Sequence, residues 1–399
     1  MKILQIANKF PYPPRDGGSI ATLSLSRSLA ELGHEVTILA MNTSKHYIDV
    51  KTVPEDLSAR IKFIGVPVNT DIKVCRLIRN FFFSRWPYNA ERFIDKEFDR
   101  VLQETLNEGQ FDIIQLEGLY LAPYLDTIRA HSKARVVMRA HNIEHEIWDR
   151  TVAQQKGPRK VYLRHLAARI RKMEFRFLNH YDAILPITAR DGQMLKHMDC
   201  RVPMHVVPTG IEANELIPDH SEMEFPSVFH IGALDWMPNQ EGLFWFMDNV
   251  WPAVLEKNPG LKFYLAGRNA PPSFQSLPYK NIVFLGEVDD AYQFMRSKAV
   301  MIVPILSGSG MRIKIIEGMA LEKAIVTTSI GTEGITTTHG QDILVADDPA
   351  AFARGVCELV ASRDHCIEIG KNARKFVIGH YGNEIITRSL VDFYSKLMV

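Results

Sequence analysis

Two hydrophobic periods take turns along the chain. Short continuous apolar runs mark buried strands, and runs with apolar residues three and four apart mark helices packed by one face. The first half places strands at residues 3–7, 36–40, 111–116, 135–139, 183–187 and 205–208. Between the first two lies a helix at 19–32, with Ile20, Leu23, Leu25, Leu29 and Leu32 on its stripe and Gly33 as its stop. Pro208, Gly210 and an acidic polar run to Glu224 then break the pattern and read as a domain boundary. The alternation restarts with strands at 227–232, 261–266, 282–285, 299–306 and 324–327, and the tail carries helical patterns at 350–362, 365–378 and 385–397. Alternation of this kind builds open sheets covered by helices, which bind ligands at the carboxyl ends of their strands. The expected fold class is α/β: two Rossmann-like domains facing across a cleft, with boundaries at residues 1–210 and 211–380.

One stretch, VPILSGSGMRIKIIEGMALEKAIVTTSIGTEG at 303–334, runs strand, small-residue loop, helix, strand. That order offers bare backbone N–H groups to an anion. Ser307 or Ser309 could cap the helix, expected at 311–321 with Ile313, Ile316 and Ala320 apolar. Gly310, Lys314 and Glu317 fall four and three apart and so share one helix face. Seven residues at about 1.5 Å each set Glu317 roughly 10 Å from the helix start. A nucleoside diphosphate fits this spacing, with phosphates at the tip and ribose hydroxyls at the carboxylate. A capped core helix with a solvated glutamate fits it equally well.

With 399 residues the chain is too long for one ordinary core and suits two domains. Its 46% hydrophobic and 23% charged residues are those of a globular protein, and a net charge of +1 argues against a nucleic-acid partner. Cys75, Cys200, Cys357 and Cys366 form no pair with metal or redox spacing, which reads as buried thiols in a reducing compartment. No signal peptide precedes the first strand and no apolar run reaches membrane-span length, so the expected location is the cytoplasm.

Other candidates sit at strand tips. Gly17-Gly18 lies in a Pro- and Gly-rich loop after the first strand, where backbone could approach a ligand or simply turn. His141 follows the strand at 135–139, a position that faces a ligand cleft or holds a satisfied structural histidine. Glu117 ends the strand at 111–116. Residues 76–88, RLIRNFFFSRWPY, join aromatic to basic side chains and suit an acceptor, a membrane face or a helix packed on the sheet. Residues 156–176 are strongly basic over an apolar stripe of Leu163, Leu166, Ile170 and Met173. This fits either anionic headgroups at the inner membrane face or a solvated outer surface.

The glycine-rich stretch resembles the nucleotide-sugar site of retaining GT-B glycosyltransferases of family 4. That family usually carries two glutamates eight positions apart; here Glu317-Gly318-Met319-Ala320 matches the second, and Ser309 stands at the first. The chain is similar to the subgroup that reads G-S-G-M-R-x-K-x-x-E. The Gly17-Gly18 loop, R-x-H-N-x-E ending at Glu144 and followed by Trp148, PTGIE at 208–212, AGR at 266–268 and LGEV at 285–288 extend the resemblance along nearly the whole chain. It implies that Gly17 and Gly18 lie near the donor diphosphate and the reacting carbon, and that His141 lies beside the donor sugar. It also implies that residues 381–399 form a last helix returning to the first domain. The loop GALDWMPNQEG lacks the Arg and Lys the family often places there, and Arg312 and Lys314 could replace them. Ser309, Gly310 and Met311 complete the donor loop, while Arg268 could flank the base or phosphates and Val288 could edge the base.

The expected function is retaining transfer of a hexose from a nucleoside-diphosphate sugar to the hydroxyl of a glycan, lipid-linked or small-molecule acceptor. No Asp-x-Asp motif stands out, so the expectation is an enzyme without metal or cofactor, in which Arg, Lys and the helix dipole receive the leaving diphosphate. A sugar-nucleotide epimerase would use the same cleft but needs an acid/base carboxylate pair that the sequence does not identify. A two-lobed sugar-binding protein normally carries an export signal and has no use for a phosphate-binding helix tip.

Overall fold

The computed structural model describes residues 1–14, 16–308 and 310–399. Contacts divide the chain into two compact units, Met1–Gly210 with Ile386–Val399, and Ile211–Ile385. The first unit holds a parallel sheet of β1 (Lys2–Ala7), β2 (Glu35–Thr43), β3 (Ile61–Val68), β4 (Ile113–Glu117), β5 (Arg135–Ala140) and β6 (Ala183–Pro186), in the order β3-β2-β1-β4-β5-β6. The second holds β7 (Glu224–Ile231), β8 (Phe263–Ala266), β9 (Ile282–Gly286), β10 (Lys298–Val303), β11 (Ala324–Thr327) and β12 (Leu344–Val345), in the order β12-β11-β10-β7-β8-β9.

Counted from its own first strand, each sheet has the same order. Each therefore has a switch point where the connections diverge to opposite faces, between β1 and β4 and between β7 and β10. The central strands β1 and β10 are apolar but for Lys2, Gln5 and Lys298, because helices bury both of their faces. The closing helix Asn383–Met398 seats Ile386, Leu390 and Tyr394 in the same core as Ile3, Ile38 and Val137 of the first sheet.

Several boundaries differ from the sequence reading, each for a local reason. Strand β3 was not anticipated; its Gly65 and Pro67 hide an edge strand paired only to β2. Strand β10 ends at Val303, because Pro304 has no N–H to continue a ladder. The helix expected at 311–321 spans Ile313–Ala320. Gly310 lies before it with φ +83°, so Gly310 does not share the face of Lys314 and Glu317. Asp16 caps the first helix by accepting from the Ser19 N–H, which puts Gly17 and Gly18 inside its first turn (Gly17–Glu31) and not in a loop. At the tail, helix Arg363–Tyr381 absorbs the Gly379 turn expected there, and Gly382 makes the break.

Helix Met237–Asn249 sits against the end of β10 at Gly242, where a Cβ would overlap the Pro304 carbonyl oxygen. Gly242→Ala is expected to lower stability by about 1–3 kcal/mol, read as a lower urea midpoint at unchanged slope.

Candidate functional site

The second unit's switch point is built from the loop after β7 and the loop and helix after β10. Beyond Val303 the chain passes Gly308 at φ +111° and Gly310 at φ +83°, conformations that side chains resist. It then enters helix Ile313–Ala320 at Arg312, with no side-chain cap. Ser307 does not cap it, since its hydroxyl donates to Glu241 Oε2 at 2.8 Å. Ser309 lies outside the described residues.

Lys314 reaches back from the first helical turn to the tip of β7. Its Nζ donates to Asn239 Oδ1 at 3.0 Å and lies 3.4 Å from His230 Nε2. Asn239 is held in turn by donating to the Ala233 carbonyl at 2.7 Å. His230 Nδ1 stands 3.0 Å from the Ile302 carbonyl. A carbonyl only accepts, so Nδ1 carries the proton and Nε2 turns its lone pair to the ammonium. Burial, then Lys314, holds His230 well below the usual imidazole range and keeps the ring neutral. Gly232 leaves the space that Lys314 Nζ fills, for a Cβ there would collide with it. Burial, helped by the Arg312 charge, pushes the Lys314 amine down to about 7 from 10.5.

Glu317, one turn further, accepts from the Tyr292 hydroxyl at 3.0 Å. Burial raises its carboxyl, with Tyr292 and Lys314 opposing. Arg312 is buried and lays its guanidinium over the Trp236 ring, 5.3 Å from the centroid. Met311 is partly buried against the core beside the helix. Arg268 follows β8, exposed, and Val288 follows β9, partly buried. The structure thus gathers Gly310, Met311, Arg312, Lys314 and Glu317 at one helix tip, while Arg268 and Val288 belong to the next two strands.

Gly17, Gly18 and His141 belong to the first unit. Both glycines are exposed. His141 Nε2 stands 2.7 Å from Glu117 Oε2 at the end of β4. Glu117 is buried and also accepts from Thr22 Oγ1 at 3.0 Å and from Gln115 Nε2, with Arg139 Nη1 at 3.9 Å. Burial alone would raise this carboxyl, but the bonds from His141 and Gln115 and the charge of Arg139 outweigh it and bring it to about 2. An ionised carboxylate only accepts, so His141 Nε2 is the donor. Next along, Glu144 accepts from the Tyr120 hydroxyl at 2.8 Å, and Trp148 Nε1 donates to the same hydroxyl at 3.2 Å. Burial, with Glu174 adding, raises Glu144 to about 7.

Sequence reasoning missed Asn239, His230 and Gly232 as partners of Lys314, and Glu117 as the partner of His141. A titratable residue inside or ending an apolar strand was the available signal for His230 and Glu117. Asn239 gave none. Among the described residues no group of three or more His, Cys, Asp or Glu is placed to hold a metal ion.

Comparison with known proteins bears on both units. Residues 15–215 match the family profile Glycosyltransferase Family 4, and residues 225–362 match Glycosyl transferases group 1. An uncharacterized 44.6 kDa protein in the cps region of Klebsiella pneumoniae is 23% identical over 408 residues, covering 98% of this chain and 98% of that protein. Among solved structures, sucrose-phosphate synthase from Thermosynechococcus elongatus is similar at a TM-score of 0.72 and 16% identity, covering 100% of this chain and 99% of that one. HepE from Anabaena, solved with UDP, is similar at a TM-score of 0.67 and 14% identity, covering 99% of this chain and 100% of that one. The fold is GT-B.

An anion at the helix tip favours the charged form of Lys314, so its amine returns from about 7 toward 10.5 on binding and takes up a proton. Affinity for a diphosphate is therefore expected to fall as pH rises above about 7, by at most about tenfold per unit. Calorimetry in buffers of different ionisation enthalpy reads the proton, and Lys314→Ala removes it. In the first unit, Glu117→Gln is expected to keep diphosphate affinity, lower turnover by at least about tenfold, and move the acidic limb of the pH–rate profile. A loss of stability with an unchanged profile would leave Glu117 a structural ion partner only.

Proposed function

The chain belongs to glycosyltransferase family 4, and from that premise we propose a retaining, metal-independent hexosyltransferase that uses a UDP-sugar and serves polysaccharide assembly. The observation that carries the donor assignment is Lys314, a half-buried lysine held on Asn239 and neutral His230 at the tip of a helix with no side-chain cap, with Glu317 one turn on. A diphosphate placed there meets the ammonium, the first-turn N–H groups and the positive end of the helix dipole. As the glycosidic bond breaks, the leaving diphosphate gains charge, and these groups are aimed where that charge develops. Glu317 would accept the ribose hydroxyls, in place of or beside the Tyr292 hydroxyl.

The sugar end of the reaction falls to His141. Its Nε2–H is fixed on ionised Glu117, which sets the ring's orientation. Such a ring can donate to a sugar hydroxyl or stabilise charge shared between sugar and leaving group. The acceptor is a glycan or lipid-linked hydroxyl that attacks the anomeric carbon from the face the diphosphate leaves, its proton passing to the departing diphosphate oxygen as the bond to the sugar breaks. UDP is favoured as the nucleotide because HepE was solved with it. Polysaccharide assembly is favoured by the cps-region relative.

A thermal-shift screen against UDP, GDP, ADP and their sugars tests the donor reading. The right nucleotide at a hundred times its dissociation constant should stabilise the fold by about 2.7 kcal/mol. Glu317→Ala and Lys314→Ala are each expected to shrink that shift, and His141→Ala to keep it while losing turnover. Free UDP should appear from the donor only when acceptor is supplied. An inverted anomeric centre in the product, read by NMR, would sink the retaining assignment.

A further inference from the structure

We propose that the exposed face of helix Val74–Phe83, together with the first turns of helix Gly157–Phe177, is a docking surface for an anionic phospholipid bilayer. The inference stands apart from the donor chemistry, because vesicle binding is read without any substrate. It starts from apolar side chains left in water. Ile78 is 57% exposed, Phe82 68%, Phe83 85% and, on the second helix, Val161 69%. Between the helices lies a groove of about 590 Å³ lined by Leu77, Ile78, Phe81, Phe82, Pro158 and Val161. Isolated exposed apolar residues are ordinary on a protein surface, but a contiguous set around an open groove marks an interaction site.

The surface is built and held. Arg169, from the middle of the second helix, donates to the Asn80 carbonyl at 3.2 Å, to Asn80 Oδ1 at 2.9 Å and to the Trp86 carbonyl at 2.5 Å. These bonds fasten the end of the first helix and the turn after it to the second helix. Phe81 packs its ring 4.5 Å from that of His165 and 6.1 Å from that of Tyr162. With Phe81 and Leu77 turned to the second helix, Ile78, Phe82 and Phe83 are left on the outer arc, beside exposed Arg76 and Arg79.

Charge selects the occupant. Residues 72–88 contain Lys73, Arg76, Arg79 and Arg85 and no acid. Residues 155–173 contain no acid and offer Lys156, Arg159, Lys160, Arg164 and Lys172, while Arg169 is engaged by Asn80 and Trp86 and Arg171 pairs with Asp149. A second copy seated on this face would bring like charges together. A bilayer with anionic headgroups meets both features at once: phenylalanines enter the boundary between headgroups and acyl chains, and the cations stay at the phosphates. Among the described residues no helix is long and apolar enough to cross a membrane, so the contact would be peripheral.

Co-sedimentation of the full chain with phosphatidylcholine vesicles, with and without phosphatidylglycerol, tests this at low and high salt. The expected result is binding to the anionic vesicles that weakens in high salt. Arg76→Gln and Arg79→Gln should each lower partitioning by about fivefold. Phe82→Ser with Phe83→Ser should lower it by about tenfold or more, while the thermal unfolding midpoint, which reports the fold, is retained. Failure of the unaltered chain to bind anionic vesicles overturns the proposal without recourse to any variant. So does vesicle binding that survives both the salt and the phenylalanine changes, or a dimer seen by light scattering that the phenylalanine changes dissolve while vesicle binding persists.

Discussion

Withdrawing the Lys314 amine from water at the tip of β7 leaves a cation whose direct hydrogen-bond partners include no carboxylate, with Glu317 one turn on supporting its charge only from a distance. Its partners are a carboxamide and an imidazole lone pair, which orient an ammonium without cancelling its charge. The fold bears that cost in its free state, as the fall of the amine to about 7 records. An internal acid would remove the cost and would also occupy the place an anion needs. The rest of the second unit's switch point follows from this one placement. Gly232 must lack a side chain, Asn239 must be anchored on Ala233, and His230 must hold its proton on Nδ1 against Ile302.

The first unit resolves the same topology with the opposite sign. There the end of β4 carries Glu117, and the groups around it are donors or cations: Thr22, Gln115, His141 and Arg139. Burial works against ionisation at both switch points. At Lys314 burial wins, while at Glu117 the surrounding donors win and the carboxyl falls to about 2. Two sheets with one strand order thus present one cation poorly satisfied by the protein and one carboxylate satisfied in full. The first suits an anionic ligand, and the second is a fixed support for the histidine bonded to it.

The alternation of strand and helix was legible because buried parallel strands are continuous apolar runs, and the placement of Lys314 three residues before Glu317 needed only the helical period. What escaped depends on contacts distant in sequence. Nothing near Asn239 says that a lysine 75 positions later will donate to it. Helical spacing also misplaced Gly310, since a left-handed residue stands outside the helix it precedes. Gly17 and Gly18 looked like loop residues until Asp16 proved to be a cap. Strand β3 escaped because Gly65 and Pro67, tolerated on an edge strand, erase the apolar run by which the others were found.

Glu144 and Glu117 are carboxylates in one unit with opposite fates, and the difference assigns their tasks. Glu144 accepts one hydroxyl, from Tyr120, and lies close to the second acid Glu174, so burial and repulsion raise it to about 7. Glu174 is spent on the start of helix Glu144–Gln154, where it accepts from the backbone N–H of Glu144 at 2.9 Å and of His145 at 3.2 Å and lies 2.5 Å from His145 Nδ1. That helix therefore starts on a buried acid, which accepts two of the first-turn N–H groups that have no partner within the helix. Glu144 and Trp148, one turn apart, both grip Tyr120 and fix the helix that follows the His141 loop. Orientation of His141 is then determined twice, by Glu117 at its ring and by the Tyr120 anchor on the helix after it.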